Sequence, residues 1–226
     1  MVVVSATPRS TVRDSLSISL TVGAYGIAFG AASVAAGFSV VQSCLLSLLT
    51  FSGASQFAVV GVIGAGGTAI SGVITAGLLG IRNGLYGMRV APLLKVSGVK
   101  RILAAHVTID ESTGVALSQE PLGVDAMRRG FWLTGFGVFL FWNIFTLAGA
   151  LGAQAMGDPA AWGLDAAVPA AFLGLVWPRL ASTKERVLAV TAMALALGLT
   201  PFAAAGVPII STAFLALLFA SREKRR

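Results

Sequence analysis

Apolar residues run along this chain in long blocks separated by short polar or glycine-rich joints. The blocks cover roughly 15–37, 39–64, 68–94, 130–152, 164–179, 187–203 and 206–221. A helix needs about 20 mostly apolar residues to cross a bilayer, and by that measure the pattern predicts around seven hydrophobic segments. The joints carry helix breakers: Gly64-Ala65-Gly66-Gly67, Gly157-Asp158-Pro159, Trp177-Pro178 and Gly206-Val207-Pro208. The expected fold is an all-α polytopic membrane protein, with residues 1–226 forming one membrane domain. Segment 1–14 is a short cytoplasmic lead, 95–129 a semi-polar cytoplasmic interval, and 222–226 a basic cytoplasmic tail.

One block is interrupted. Ser52-Gly53-Ala54-Ser55-Gln56 places a polar turn inside 39–64, and the positions of the basic residues give that turn meaning. They gather as Arg9 and Arg13; Lys95, Lys100 and Arg101; Arg128 and Arg129; Arg179, Lys184 and Arg186; and Arg222, Lys224, Arg225 and Arg226. Basic loops stay in the cytoplasm, which fits the later segments and leaves Asp158 and Asp165 in an external loop. Three full crossings between Arg13 and Lys95 would put Lys95, Lys100 and Arg101 outside. The expectation is therefore about six crossings plus one broken or re-entrant element at 39–64, with both termini cytoplasmic. Seven full spans is the competing count. Segment 102–120 mixes His106, Asp110 and Glu111 with apolar residues, and its pattern fits an interfacial helix or one dipping into a cytoplasmic cavity.

Composition supports the membrane reading. Of 226 residues, 56% are apolar and 11% charged, and the mean hydropathy is +0.88. Soluble domains carry roughly 25% charged residues. A net charge of +7 would suggest nucleic acid in a soluble protein; here cytoplasmic loops account for it. Cys44 is a single cysteine in an apolar stretch, a packing residue with no intrachain disulfide partner. Arg9 and Arg13 ahead of 16–37 imitate a signal peptide, but the run is long and lacks a convincing cleavage site, so it reads as a retained first helix.

Three groups could carry chemistry. Arg82 and Asn83 sit in the middle of the 68–94 block, where a charge costs at least ~2.5–3.5 kcal/mol and normally faces a cavity or a partner. With 77–89 as a helix, Gly77, Gly80, Gly84 and Gly87 share a face suited to close helix packing, and Arg82, Tyr86 and Arg89 lie nearly opposite. Arg82 either lines a site or pairs with a buried carboxylate; Arg89 either joins it or snorkels to the surface. In the second group, Gly53, Ala54, Ser55, Gln56 and Phe57 open a half-helix. Its free N–H groups suit a carboxylate, and broken helices aimed at anionic groups recur in transporters. Ser55 and Gln56 could equally bond neighbouring helices. Third, Asp110 and Glu111 could form a proton-coupling site, pair with an ammonium or with Arg82, or lie in a solvated loop. Asn143 should bond a neighbouring helix, Trp132, Trp162 and Trp177 suit an aromatic belt, and Asp165 could cap 164–179. No catalytic or nucleotide-binding motif occurs, and one histidine does not make a metal site. No cofactor, ATP or nucleic acid is expected.

These residues resemble a known family. Ser52-Gly53-Ala54-Ser55-Gln56-Phe57-Ala58, then Arg82-Asn83 with Tyr86 and Ala91-Pro92, then Asp110-Glu111-Ser112, and Gly163-Leu164-Asp165 before Pro169-Ala170-Ala171-Phe172, are similar to the AzlC family of bacterial branched-chain amino acid exporters. The resemblance covers about 15–220. Gly80 and Asn83 depart from it, standing where the family pattern carries Asn and His. The resemblance implies a multi-pass inner-membrane exporter of small apolar amino acids, not an enzyme, working with a small AzlD-type membrane partner. Proton coupling is the simpler expectation for a chain without a nucleotide site. A gated channel for small solutes and a non-transporting accessory subunit are the alternatives.

Overall fold

The computed structural model describes residues 8–157, 161, 163, 166–177, 180–204 and 206–223. The expected cap at Asp165, the external Asp158, Trp162, Arg179, the first seven residues and the tail from Lys224 lie outside the described residues. Every regular element among the described residues is helical.

Two long helices form the spine: α1 (Pro8–Ala35) and, much later, α7 (Val124–Ala155). They run in the same direction, because Gly23 meets Phe141, Gly26 meets Trp142, and Gly30 meets Thr146 and Ala150. Their backbones nearly touch. A Cβ at Gly30 would overlap the carbonyl oxygen of Thr146, and one at Gly149 would overlap that of Ile27. Small residues allow this approach where apolar side chains gain nothing by leaving lipid. Buried hydroxyls knit the same seam, with Thr134 donating to Ser15 at 3.0 Å.

Between the spine helices, the chain makes a hairpin, a long helix and a second hairpin. The first hairpin is α2 (Val40–Leu49) and α3 (Gly53–Gly64), broken at Thr50–Ser52. Ser39 caps α2 reciprocally with Gln42. Its base lies at the far end of α1, where the hydroxyls of Ser33 and Ser43 bond at 2.7 Å and Gly64 abuts Ala36. Its tip reaches the middle of the spine, with Gly53 against the Trp142 ring and Phe57 edge-on to Phe29. The break therefore falls where the polar turn was expected, and the chain turns back there.

Helix α4 (Ala69–Leu94) packs antiparallel to α3: the Ser55 hydroxyl donates to the Ala76 carbonyl at 2.9 Å, and Gly72 lies against Val59. It ends beside the start of α7, where Arg128 Nε donates to the Leu93 carbonyl at 2.8 Å. Lys95 closes it in the left-handed region at φ 49°. Because the first hairpin returns, Lys95, Lys100 and Arg128 share one end of the molecule and line a common groove.

The interval 95–129 holds a second helical hairpin that its pattern had left open. Helices α5 (Gly98–His106) and α6 (Asp110–Ser118) break at Val107–Ile109. The Ser112 hydroxyl holds this break, accepting from Ile109 N–H at 3.0 Å and donating to the Val107 carbonyl at 2.7 Å. The base of this hairpin lies at the near end of α1, where Thr11 donates to Gln119 at 2.7 Å. Its tip meets the first: His106 lies 6.0 Å from Phe51, ring to ring, and both rings pack on Phe139. The two hairpins thus enter the spine from opposite ends. The register repeats as well: Ser97 precedes α5 as Ser39 precedes α2, and Thr108 follows Ser97 by the interval that separates Thr50 from Ser39. With α1, α4 and α7 alternating in direction, this is an inverted repeat.

Three further helices flank the repeat: α8 (Ala167–Val176), α9 (Thr183–Leu199) and α10 (Val207–Glu223). Among the described residues, segments 11–35 and 124–155 are each long and apolar enough to cross a bilayer by themselves.

Two local expectations need correcting. The glycine face of α4 does not carry a close helix contact within the described residues: nothing approaches a Cβ at Gly77, Gly84 or Gly87 within 4 Å, and Gly80 meets only the Ser55 hydroxyl at 3.7 Å. Among the described residues Asn143 does not bond a neighbouring helix; its amide donates to the Phe139 carbonyl one turn back at 2.7 Å.

Candidate substrate pocket between the hairpin tips

Where the tips meet, they leave a pocket of about 440 Å³, within the ~300–1,000 Å³ range typical of small-molecule sites. One wall is the first tip, Phe51 to Ala54, and another is the second tip, Ile109 to Glu111. Helix α4 contributes Leu79, Arg82 and Asn83; α1 contributes Val22 and Tyr25; α7 contributes Val138 and Trp142.

The two tips occupy corresponding places in the repeat and differ in chemistry. Ser52 and Asp110 are equivalent, each following its hairpin's leading serine by the same interval. At the first tip, Ser52 precedes α3 without a side-chain cap, its hydroxyl donating instead to Ser55 at 3.2 Å. The first turn of α3, whose Gly53 and Ala54 line the pocket, therefore has no side-chain cap, and its N–H groups carry the positive end of the helix dipole. At the second tip, α6 begins with Asp110 and Glu111, placing negative charge where the dipole of α6 favours it. One tip thus offers donors and the other carboxylates.

Arg82 bridges towards the acidic tip. Its Nη1 lies 3.1 Å from Asp110 Oδ2, with the side chains 30% and 22% exposed. This pair explains how α4 tolerates a guanidinium within an apolar stretch. Two polar atoms beside it are less well served. Arg82 Nε and Asn83 Oδ1 are buried and have no hydrogen-bond partner among the described residues. A buried donor and a buried acceptor left over in one pocket lining are places where a polar ligand gains most.

Of the residues expected to bind substrate, Gly53, Ala54, Phe57, Arg82 and Asn83 line this pocket, together with the expected coupling residues Asp110 and Glu111. Ser55, Gln56 and Tyr86 do not line it. Ser55 is committed to the Ala76 carbonyl of α4. Gln56 is fully buried and holds the hairpin together: its amide donates to the carbonyls of Thr50 at 2.9 Å and Ser47 at 3.3 Å, and its oxygen accepts from Trp142 Nε1 at 2.9 Å. Both are helix-bonding groups, which the sequence had left as an open alternative. Tyr86 lies one turn past Arg82, half-buried and outside the lining. Trp142 and Tyr25 enter the lining unannounced. Trp142 stands directly before Asn143 in a mid-helix position, and a Trp that deep needs a partner for its N–H; that was the available signal.

An inverted helical repeat with an ion pair set in a largely apolar pocket at its centre, on a chain this apolar, defines a helical membrane protein. Residues 17–156 match the family described as AzlC protein, and the chain belongs to that family. The matched stretch runs from α1 to the end of α7, so it contains both hairpins, α4 and the pocket's ion pair. The inner membrane protein YgaZ of Escherichia coli (strain K12) is 29% identical over 153 residues, covering 66% of this chain and 61% of YgaZ. The chain thus matches about three-fifths of that relative's length. No solved structure matches.

Proposed function

We propose that this protein is a secondary transporter of the bacterial inner membrane that exports branched-chain or other small apolar amino acids. Helices α1, α4 and α7 cross the bilayer, the first hairpin enters from outside, and the second enters from the cytoplasm. With α8, α9 and α10 the count is about six crossings, both termini cytoplasmic. Support comes from the basic groups of Lys95, Lys100 and Arg128, which gather at one end of the spine.

The observation that carries the reading is the opposite character of two equivalent tips around one pocket. A free amino acid is a zwitterion. Its carboxylate fits the donors of α3 and Arg82 Nε; its ammonium fits Asp110 and Asn83 Oδ1. Its side chain lies against Phe51, Phe57 and Trp142, where burial contributes roughly 1.5–3 kcal/mol. A side chain one methylene shorter loses only ~1–3 kcal/mol, so specificity is broad. The zwitterion competes with the Arg82–Asp110 pair, and releasing that pair frees the tips to move in turn, which is alternating access between repeats. Proton coupling runs through Asp110 or Glu111. The open glycine face of α4 suits a helix of a small AzlD-type partner.

The test is counterflow of radiolabelled leucine in proteoliposomes, with and without the partner. Trans-leucine should accelerate uptake, and Arg82→Ala should abolish the acceleration while still inserting. Flux without acceleration would identify a channel. Acceleration unchanged in Arg82→Ala would remove the centre of the proposal.

A further inference from the structure

A second cavity lies away from the pocket, where α4 ends and α5 and α7 begin. It is a groove of about 460 Å³, and its wall is graded. Lys95, Lys100 and Arg128 stand at one end. Each helix then turns apolar in the same direction: α7 passes from Arg128 to Trp132 to Phe136, and α5 from Lys100 to Leu103. Arg128 to Phe136 covers about 12 Å along the helix. Leu103 and Phe136 stay more than 40% exposed although large and apolar. No carboxylate lines the groove among the described residues. The nearest acid to Arg128 is Asp125, at 3.5 Å with a side chain 92% exposed, which leaves that pair solvated and weak.

We propose that this groove binds an anionic phospholipid of the cytoplasmic leaflet, its phosphate held by Lys95, Lys100 and Arg128 and one acyl chain lying along Leu103, Trp132 and Phe136. Charge complementarity selects an anion, and the apolar end, too long and too dry for an inorganic ion, selects a lipid. Basic pockets between helices at the cytoplasmic boundary are suited to such headgroups. The inference rests on the membrane placement proposed above and is independent of which solute is carried.

The test is native mass spectrometry of the purified full chain in detergent, with phosphatidylglycerol and phosphatidylcholine of identical acyl chains, alongside thermal melting. Phosphatidylglycerol should remain bound preferentially and raise the melting temperature. Lys95→Gln/Lys100→Gln should cut its retention about ten- to thirtyfold, each lysine near the surface counting for ~1 kcal/mol. Arg13→Gln/Arg129→Gln removes the same charge from exposed positions outside the groove and should leave retention unchanged. Phe136→Ala should weaken retention without altering the response to inorganic phosphate. Equal retention of both lipids would overturn the proposal, as would equal losses in the two double variants. A melting shift reproduced in full by inorganic phosphate would also overturn it, making the groove a free-anion site. Loss of leucine counterflow leaves all of these readouts intact, so the two proposals fail separately.

Discussion

Single side chains divide here into those that face the pocket and those that hold it open, and sequence position alone does not separate them. Gln56 was expected among the substrate ligands because it follows the polar turn. It is spent on the carbonyls of α2 and on Trp142. Gln56→Leu should therefore lower the melting temperature, since each buried group left unpaired costs about 1–3 kcal/mol, and should leave the half-saturation of the properly folded fraction unchanged. A variant with normal melting and weakened leucine binding would return Gln56 to the ligands. Arg82 and Asp110 are the opposite case. Asp110→Asn keeps the shape and removes a charge-assisted acceptor worth about 1.5–3 kcal/mol, so apparent leucine affinity should fall about ten- to a hundredfold. Arg82 was legible from the cost of a charge in an apolar block. Its pairing with Asp110 was one of several options, because nothing in a linear pattern measures the distance from α4 to a distant turn.

At the scale of elements, glycines with the same spacing serve different ends. Gly26 and Gly30 of α1 and Gly149 of α7 sit where backbones nearly touch, whereas Gly77, Gly84 and Gly87 of α4 open onto free space among the described residues. Gly149→Ala should therefore destabilise the protein by at least the ~1–3 kcal/mol of an overpacked core, seen as a lowered melting temperature and poor membrane yield. Gly84→Ala should be neutral or stabilising in the isolated chain by up to ~1 kcal/mol, the helix propensity gained. Helix α9 gives a pH prediction. Ser182 donates to Glu185 through its backbone N–H and pairs reciprocally with it as a capping box, holding the carboxyl below its ordinary value of 4.5. A depressed folded pKa adds stability above that ordinary value, and the contribution is lost as pH falls through the folded one. Amide exchange in the first turn of α9 should accelerate on acidification through this window in the wild type, and Glu185→Gln should remove the dependence.

For the whole molecule, the arrangement of hairpins makes a topological prediction that separates it from seven full spans. Reporters placed at Ser39 and Gly66 should both be external, and those at Arg13, Lys100 and Arg129 all cytoplasmic. With full crossings, Ser39 and Gly66 would lie on opposite sides. The positive-inside imbalance had already required one block between Arg13 and Lys95 to return. It carried no information about α5 and α6, because both ends of that hairpin lie at one end of the molecule, so in the proposed placement it adds no crossing and leaves the charge balance untouched.

Local chemistry therefore determined much of this protein directly: the long apolar blocks, the break near Ser52, the candidates Arg82, Asn83 and Asp110 that line the pocket, and the gathering of Lys95, Lys100 and Arg128 at one end. These follow from the cost of exposing peptide or charge to lipid, which acts on each segment where it stands. Only the tertiary structure decided that 98–118 folds as a second hairpin, that its acidic tip faces an uncapped helix start, and that Gln56 and Ser55 turn away from the pocket. Those outcomes depend on which faces meet across the molecule, and the α1–α7 seam that sets them joins helices more than a hundred residues apart.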